Sequence, residues 1–301
     1  MADQPVELTP EHRLAAERFQ GRVDVPLDLE ANACRVSSSG ALLAVQSVGA
    51  GDPVVFLHAA ICDSRMWARQ LEAVGDRRLA VAYDRRGFGE TVAPWEEHSA
   101  VSDLAAVLHA IAAGQPAVLV GCSQGGGIAI NAALMQPSLV RALVLVAPNV
   151  AGAPEPVHPP ETQAELERQK QAENAGDIRQ VTEIKARLWL DGPSASPGRV
   201  GGDSRQLLLE MNAKALRSPQ PGPSVDAVAA YERLSEIQVP TLVVWGDLDF
   251  PHIQERCRHV VESVNGSRGH EISGAAHLPN LERPAEVTKL IVDFLDRLDR
   301  A

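Results

Sequence analysis

A serine flanked at two positions on either side by glycine, Gly121-Cys122-Ser123-Gln124-Gly125, follows the apolar run Ala117–Val120 and precedes a run of small and apolar residues, Gly126–Ile130. The order is strand, tight turn, helix. A serine at such a turn is held in a strained backbone conformation with its hydroxyl lifted off the end of a sheet. Gly121 and Gly125 suit it because a Cβ at either position would collide across the turn. Acyl transfer from Ser123 needs an imidazole to take its proton and a carboxylate to orient that imidazole. One chain order for these three is serine, acid, histidine. Here it is met by Ser123, then Asp249 with Asp247 as rival on the same loop, then His277 in Gly274-Ala275-Ala276-His277-Leu278-Pro279.

Those residues need a scaffold, and the apolar pattern supplies one. Cys34–Ser38 and Ala41–Val48, separated by Ser39-Gly40, read as a hairpin. Pro53–Leu57, Leu79–Tyr83, Ala117–Val120, Val140–Val146 and Val239–Gly246 are largely apolar runs of strand length, and a short strand is expected around His270–Ser273. Helical patterns alternate with them at 101–113, 253–264 and 285–298. Strands alternating with helices imply an α/β fold with a mostly parallel central sheet covered on both faces. Between about 151 and 236 the strand pattern stops. Helical patterns at Glu161–Ala175, Asp177–Leu190 and Ser204–Leu216, with a returning helix at Val225–Leu234, read as a cap inserted between two parts of the core, 32–150 and 237–301. Residues 1–31 carry three prolines around a short helical pattern, Glu11–Phe19, and read as an N-terminal extension.

Composition excludes several classes. A net charge of −11 argues against nucleic acid, whose phosphates call for a concentrated basic surface. No apolar run approaches the length of a membrane span, and the polar first residues lack the apolar centre of a secretory signal, so a cytoplasmic protein is expected. Cys34, Cys62, Cys122 and Cys257 are spaced neither as a Cys-x-x-Cys pair nor near histidine at metal-ligand spacing, and read as isolated buried thiols. Gly87-Phe88-Gly89 lacks the third glycine of a dinucleotide fingerprint, and no Gly-Lys-Ser/Thr follows Gly125–Gly127. No metal and no cofactor are expected. Arg85 and Arg86 read as salt-bridge or surface residues, and nothing in the sequence sets the oligomeric state.

The chain resembles the α/β-hydrolase superfamily, in particular its bacterial esterase, enol-lactonase, C–C hydrolase and cofactor-free haloperoxidase members. The resemblance is carried by His58-Ala59 with Trp67 downstream, Asp84-x-Arg86-Gly87-x-Gly89, the Gly121-x-Ser123-x-Gly125-Gly126 turn, Gly246-x-x-Asp249, and His277 ahead of Glu282-x-Pro284. It implies that Asp249 rather than Asp247 is the triad acid. It also implies an oxyanion site made by the backbone N–H groups of Gln124 and Ala60, with His58 bracing the loop. One departure stands out: the family has glycine after the first histidine, where this chain has Ala59.

The leading expectation is a serine hydrolase acting on a small-molecule ester or lactone. Two others share the scaffold: a C–C hydrolase or lyase using the same triad, and a ligand receptor without catalysis. Substrate choice falls to the cap and to residues flanking the site, with Ile61, Met66, Trp189 and Leu190 as candidate pocket residues.

Overall fold

Successive residues of a strand point to opposite faces of a sheet, so a strand apolar at every position must be covered on both sides. The computed structural model describes residues 32–300 and shows this arrangement; the expected N-terminal extension lies outside the described residues. Eight strands, β1 (Asn32–Ser38), β2 (Ala41–Val48), β3 (Pro53–Leu57), β4 (Leu79–Tyr83), β5 (Ala117–Cys122), β6 (Val140–Val146), β7 (Thr241–Gly246) and β8 (Arg268–Ile272), form one sheet. Their order is β1-β2-β4-β3-β5-β6-β7-β8. The β1–β2 and β2–β4 pairs are antiparallel and the others parallel.

The two faces separate by residue parity. Val55, Leu57, Leu119, Leu143, Leu145 and Val243 enter one core, covered by helices Ala100–Ala112, Gln124–Met135 and Pro251–Ser263. Their neighbours Val54, Phe56, Val118, Val120, Val144 and Leu242 enter the other, covered by helices Ala68–Gly75 and Pro284–Leu298. The last helix buries Val287, Ile291, Phe294 and Leu295, a stripe at helical spacing.

From β3 the chain runs to β4 on one side, and β5 returns to the other. Such a reversal opens a crevice at the carboxyl ends of the strands, where ligands bind in parallel sheets. Leu57 pairs with Gly121, so the loops after β3 and β5 leave the sheet side by side.

Between β6 and β7 lie helices Pro160–Asn174, Ile178–Lys185 and Gly202–Arg217, near the expected positions. Two features differ. The second helix ends at Lys185 and continues as a π-helix, Ala186–Asp191. The returning helix is only Ala230–Arg233 followed by a 3-10 turn; its expected first residue, Val225, donates instead to His98 O, beside a bridge between Ser224 and His98. Cys62, Cys122 and Cys257 are buried as expected, whereas Cys34 is exposed on the edge strand β1. No helix among the described residues is long and apolar enough to cross a membrane.

Candidate active site

Ser123 sits between β5 and helix Gln124–Met135 with φ 51° and ψ −115°, a conformation side-chain-bearing residues rarely adopt. The turn is held from both sides: the Ser123 N–H donates to Val146 O at 2.9 Å, and Ser123 O accepts from Gly127 N–H and Asn149 N–H. A Cβ on Gly121 would collide with Gly125 O, and one on Gly125 with Leu57 O. These close approaches let the elbow helix press against the loop leaving β3. Beneath the turn, Cys122 is fully buried, and burial pushes its thiol pKa up, as befits a packing residue.

Asp249 and His277 leave neighbouring strands, β7 and β8, and meet: His277 Nδ1 lies 2.7 Å from Asp249 Oδ2. The other carboxylate oxygen accepts the Phe250 N–H at 2.7 Å. Asp247 is engaged elsewhere, accepting from Gly274 N–H at 2.7 Å and Ser273 Oγ at 3.1 Å, so it supports the loop that carries His277. Cys122 Sγ lies 3.9 Å from His277 O, placing the histidine loop over the elbow. No hydrogen bond joins Ser123 and His277 among the described residues; such contacts are often long in unliganded sites.

Ala60 follows β3 and Gln124 opens the elbow helix, and both are exposed. Neither backbone N–H donates to another group among the described residues; the first N–H of a helix has no intrahelical acceptor. Ala59 is buried with a negative φ, so the alanine is accommodated without strain, and its N–H points to Met66 Sδ at 3.3 Å. His58 is fully buried. Its Nε2 accepts the Arg85 N–H at 3.0 Å, which leaves the proton on Nδ1 to bond Ala59 O at 2.8 Å. Burial, then the Arg85 charge, holds its pKa well below the ordinary imidazole value, so His58 is a neutral brace between two loops.

The four expected pocket residues divide. Trp189 is half-buried, with its ring 4.6 Å from that of His277 and 4.5 Å from that of Phe250. Ile61 keeps 9% exposure beside Ala60. Met66 and Leu190 are buried, 2% and 0% exposed, in one apolar cluster.

The π-helix explains how Trp189 reaches the histidine. Carbonyls at a helix end need outside donors. Trp189 O accepts the His277 N–H at 3.2 Å, and Leu190 O and Asp191 O both accept from Arg199, each at 2.7 Å. Arg199 continues to Gly274 O at 2.8 Å and to Glu282 at 2.5 Å, while Glu282 accepts the Ala276 N–H. Phe250, His252, His158, Arg199 and Glu282 were not singled out from sequence for the site itself. Phe250 and His252 adjoin Asp249, and that adjacency is a signal the sequence carries; Arg199 carries none. His252 lies 5.4 Å from Phe250 and 5.3 Å from His158, ring to ring, and burial, then Arg256, lowers its pKa to about 4. Among the described residues no group of three or more His, Cys, Asp or Glu is placed to hold a metal.

The alpha/beta hydrolase family model matches residues 54–290. The chain is 26% identical to an epoxide hydrolase of Caballeronia sordidicola, over 88% of this chain and 93% of that one. It is 29% identical to a polyketide synthase of Burkholderia thailandensis over 87% of its own length, and there it spans about 12% of the relative. Among solved structures, an N-acyl homoserine lactone degrading enzyme is 25% identical with a TM-score of 0.65, covering 86% of this chain and 99% of that one. The enol-lactonase from Burkholderia xenovorans shares the fold at 20% identity, with a TM-score of 0.70 over 87% and 99% of the two chains. Family model, sheet order and elbow agree: the chain belongs to the alpha/beta hydrolase family of enzymes.

Proposed function

We propose that the protein is a serine hydrolase that cleaves a small carboxylic ester or lactone through an acyl-enzyme on Ser123. The observation that carries this reading is the 2.7 Å contact between His277 Nδ1 and Asp249 Oδ2 on the loops facing the strained Ser123 elbow. With its Nδ1 proton held by the carboxylate, His277 presents Nε2 as the base. Ser123 Oγ attacks the carbonyl carbon as Nε2 takes its proton, and the oxygen acquires charge. The free N–H groups of Gln124 and Ala60 are the candidate donors to that oxygen, fixed before the charge develops. His277 then returns the proton to the leaving alkoxide. Water, deprotonated by the same nitrogen, releases the acid. Asp249 keeps the ring in the required tautomer and stabilises its cation.

Lactone and ester cleavage share these steps; in a lactone the leaving alkoxide stays on the same molecule until the acyl-enzyme is hydrolysed. The name of the lactone-degrading neighbour supports that branch of the reading. The helices between β6 and β7 act in this reading as a cap over the crevice, with Trp189 and Ile61 as its wall. An aspartate-nucleophile route to epoxide opening has no carboxylate at the elbow, where this chain carries serine. The test is labelling with a fluorophosphonate followed by peptide mass analysis, together with turnover of short-chain methyl esters. Labelling at Ser123, lost with turnover in Ser123→Ala, is the expected result. Undiminished turnover by Ser123→Ala overturns the reading.

A further inference from the structure

A base carried on a loop is aimed by whatever holds that loop, and the residues ahead of His277 cannot hold themselves. Gly274, Ala275 and Ala276 have no polar side chain, and both alanines are fully buried. Buried backbone groups need partners, so those of this turn are satisfied from outside it. Gly274 N–H donates to Asp247 Oδ1 at 2.7 Å, Ala275 O accepts the Leu248 N–H at 2.9 Å, and His277 N–H donates to Trp189 O. Two further partners carry full charges. Arg199 donates to Gly274 O at 2.8 Å, and both Glu282 carboxylate oxygens lie 3.0 Å from the Ala276 nitrogen. Arg199 and Glu282 also meet each other at 2.5 Å, so the turn is gripped by the two halves of one ion pair.

The pair is built into the fold rather than laid on its surface. Glu282 keeps 1% of its side chain exposed and Arg199 21%. Burial pushes the Glu282 carboxyl pKa up, while the Arg199 charge and the Ala276 and Leu278 N–H groups draw it down. Asp191, fully buried, fixes the segment that carries Arg199. Its oxygens accept the Gly198 N–H at 2.8 Å and the Val200 N–H at 3.1 Å, one on each side of the arginine. Arg205 pairs with Asp191 at 3.0 Å, so the Asp191 carboxylate does not compete for Arg199. Each guanidinium nitrogen of Arg199 is engaged: Nε by Asp191 O, Nη1 by Gly274 O, and Nη2 by Leu190 O and Glu282.

We propose that Arg199 and Glu282 are positioning residues for the base: as a pair they set the reach of His277 to Ser123, and with it the rate of acyl transfer. The inference rests on the serine hydrolase reading and adds to it two residues that touch no reacting atom. Removing either partner leaves the other buried and unpaired, so each change alone frees the turn, and removing both costs less than the sum. Misplacing a reacting group by about 1 Å costs roughly a hundredfold in rate. A pair that only stabilised the fold would move the unfolding midpoint and leave turnover by the folded enzyme as it was.

The experiment uses the full-length enzyme with Glu282→Gln, isosteric but uncharged; Arg199→Met, which keeps the apolar stem; Arg199→Lys, which keeps the charge; and the double variant of the first two. Three quantities are read: kcat and KM for methyl butyrate, the rate of fluorophosphonate labelling at Ser123, and the low-field proton resonance of the His277–Asp249 contact, assigned by its loss in His277→Ala. Glu282→Gln and Arg199→Met should each lower kcat and labelling about a hundredfold, with KM within about twofold, in protein that a urea curve shows to be folded. The resonance should shift or broaden in both. Arg199→Lys should recover most of the loss, and the double variant should be no slower than the slower single one, as for a pair acting as a unit. A kcat within about threefold of the parent in both single variants, an unmoved resonance, or losses that multiply in the double variant would overturn the proposal. Loss of folding in both single variants, with Arg199→Lys at the parent rate, makes the pair structural and overturns it too. Absence of labelling and turnover in the parent counts against the serine hydrolase reading instead, and the resonance alone then decides the positioning role.

Discussion

The carbonyl of Trp189 accepts the backbone N–H of His277 at 3.2 Å, while the Trp189 indole lies 4.6 Å from the imidazole of the same residue. One residue of the helical insertion thus holds the proposed base by its main chain and by its ring.

The ring contact is the part a mutation can remove. Trp189→Ala keeps the carbonyl and deletes the indole, so the imidazole loses one wall of its orientation. We expect kcat to fall roughly ten- to a hundredfold, the scale of a small misplacement of a reacting group. Trp189→Phe should recover most of it. Steady-state kinetics on one ester, with a denaturation curve to show folding is retained, checks both.

The carboxylate assignment is tested by a pair of amide substitutions. Asp249→Asn removes the acceptor that fixes the His277 tautomer and should cost roughly 10⁴ in kcat. Asp247→Asn can still accept the Gly274 N–H and should cost no more than about tenfold. The reverse ranking would assign the triad acid to Asp247.

The elbow packing predicts a stability difference between two glycines. In Gly125→Ala the new methyl runs into Leu57 O, backbone that cannot move aside, and a loss of about 3 kcal/mol is expected. Gly176, with φ 68° and nothing within 4 Å of an added methyl, should lose only about 1 kcal/mol as alanine, the strain of the left-handed conformation. Urea unfolding of the two variants beside the parent gives the comparison.

His252 gives the protein a sign-determined response to acid. Burial and the Arg256 charge lower its folded pKa to about 4, below the ordinary 6.5, so between those values the unfolded chain binds more protons than the folded one. Stability from this residue is therefore present above pH 6.5 and is lost as pH falls through about 4. His252→Asn should show a smaller drop in urea midpoint between pH 7 and pH 4.5 than the parent. An unchanged drop would remove His252 from the cause.

Strands buried on both faces were legible because every position is apolar, as in Val54–Leu57 and Leu143–Val146, and such runs have few alternatives. The elbow was legible because its glycines are demanded by close backbone contacts, which leave a fixed spacing in the sequence. The π-helix was not, since Ile178–Leu190 carries one continuous helical pattern and its widening depends on Arg199 and His277, both distant in sequence. Arg85 and Arg86 are adjacent and chemically alike, yet opposite in pairing, because only Arg86 points to Asp103 and Glu96.

Arg199 touches three segments at once: the end of the π-helix through Leu190 O and Asp191 O, the histidine loop through Gly274 O, and Glu282 at the end of the short helix Pro279–Glu282. The insertion is thereby riveted to the turn that bears the base. A displacement of the π-helix that separates it from the histidine loop strips His277 of a hydrogen bond and an aromatic neighbour together. The turn that bears His277 and the end of the π-helix are thus tied together at the main chain, at a ring and through one guanidinium.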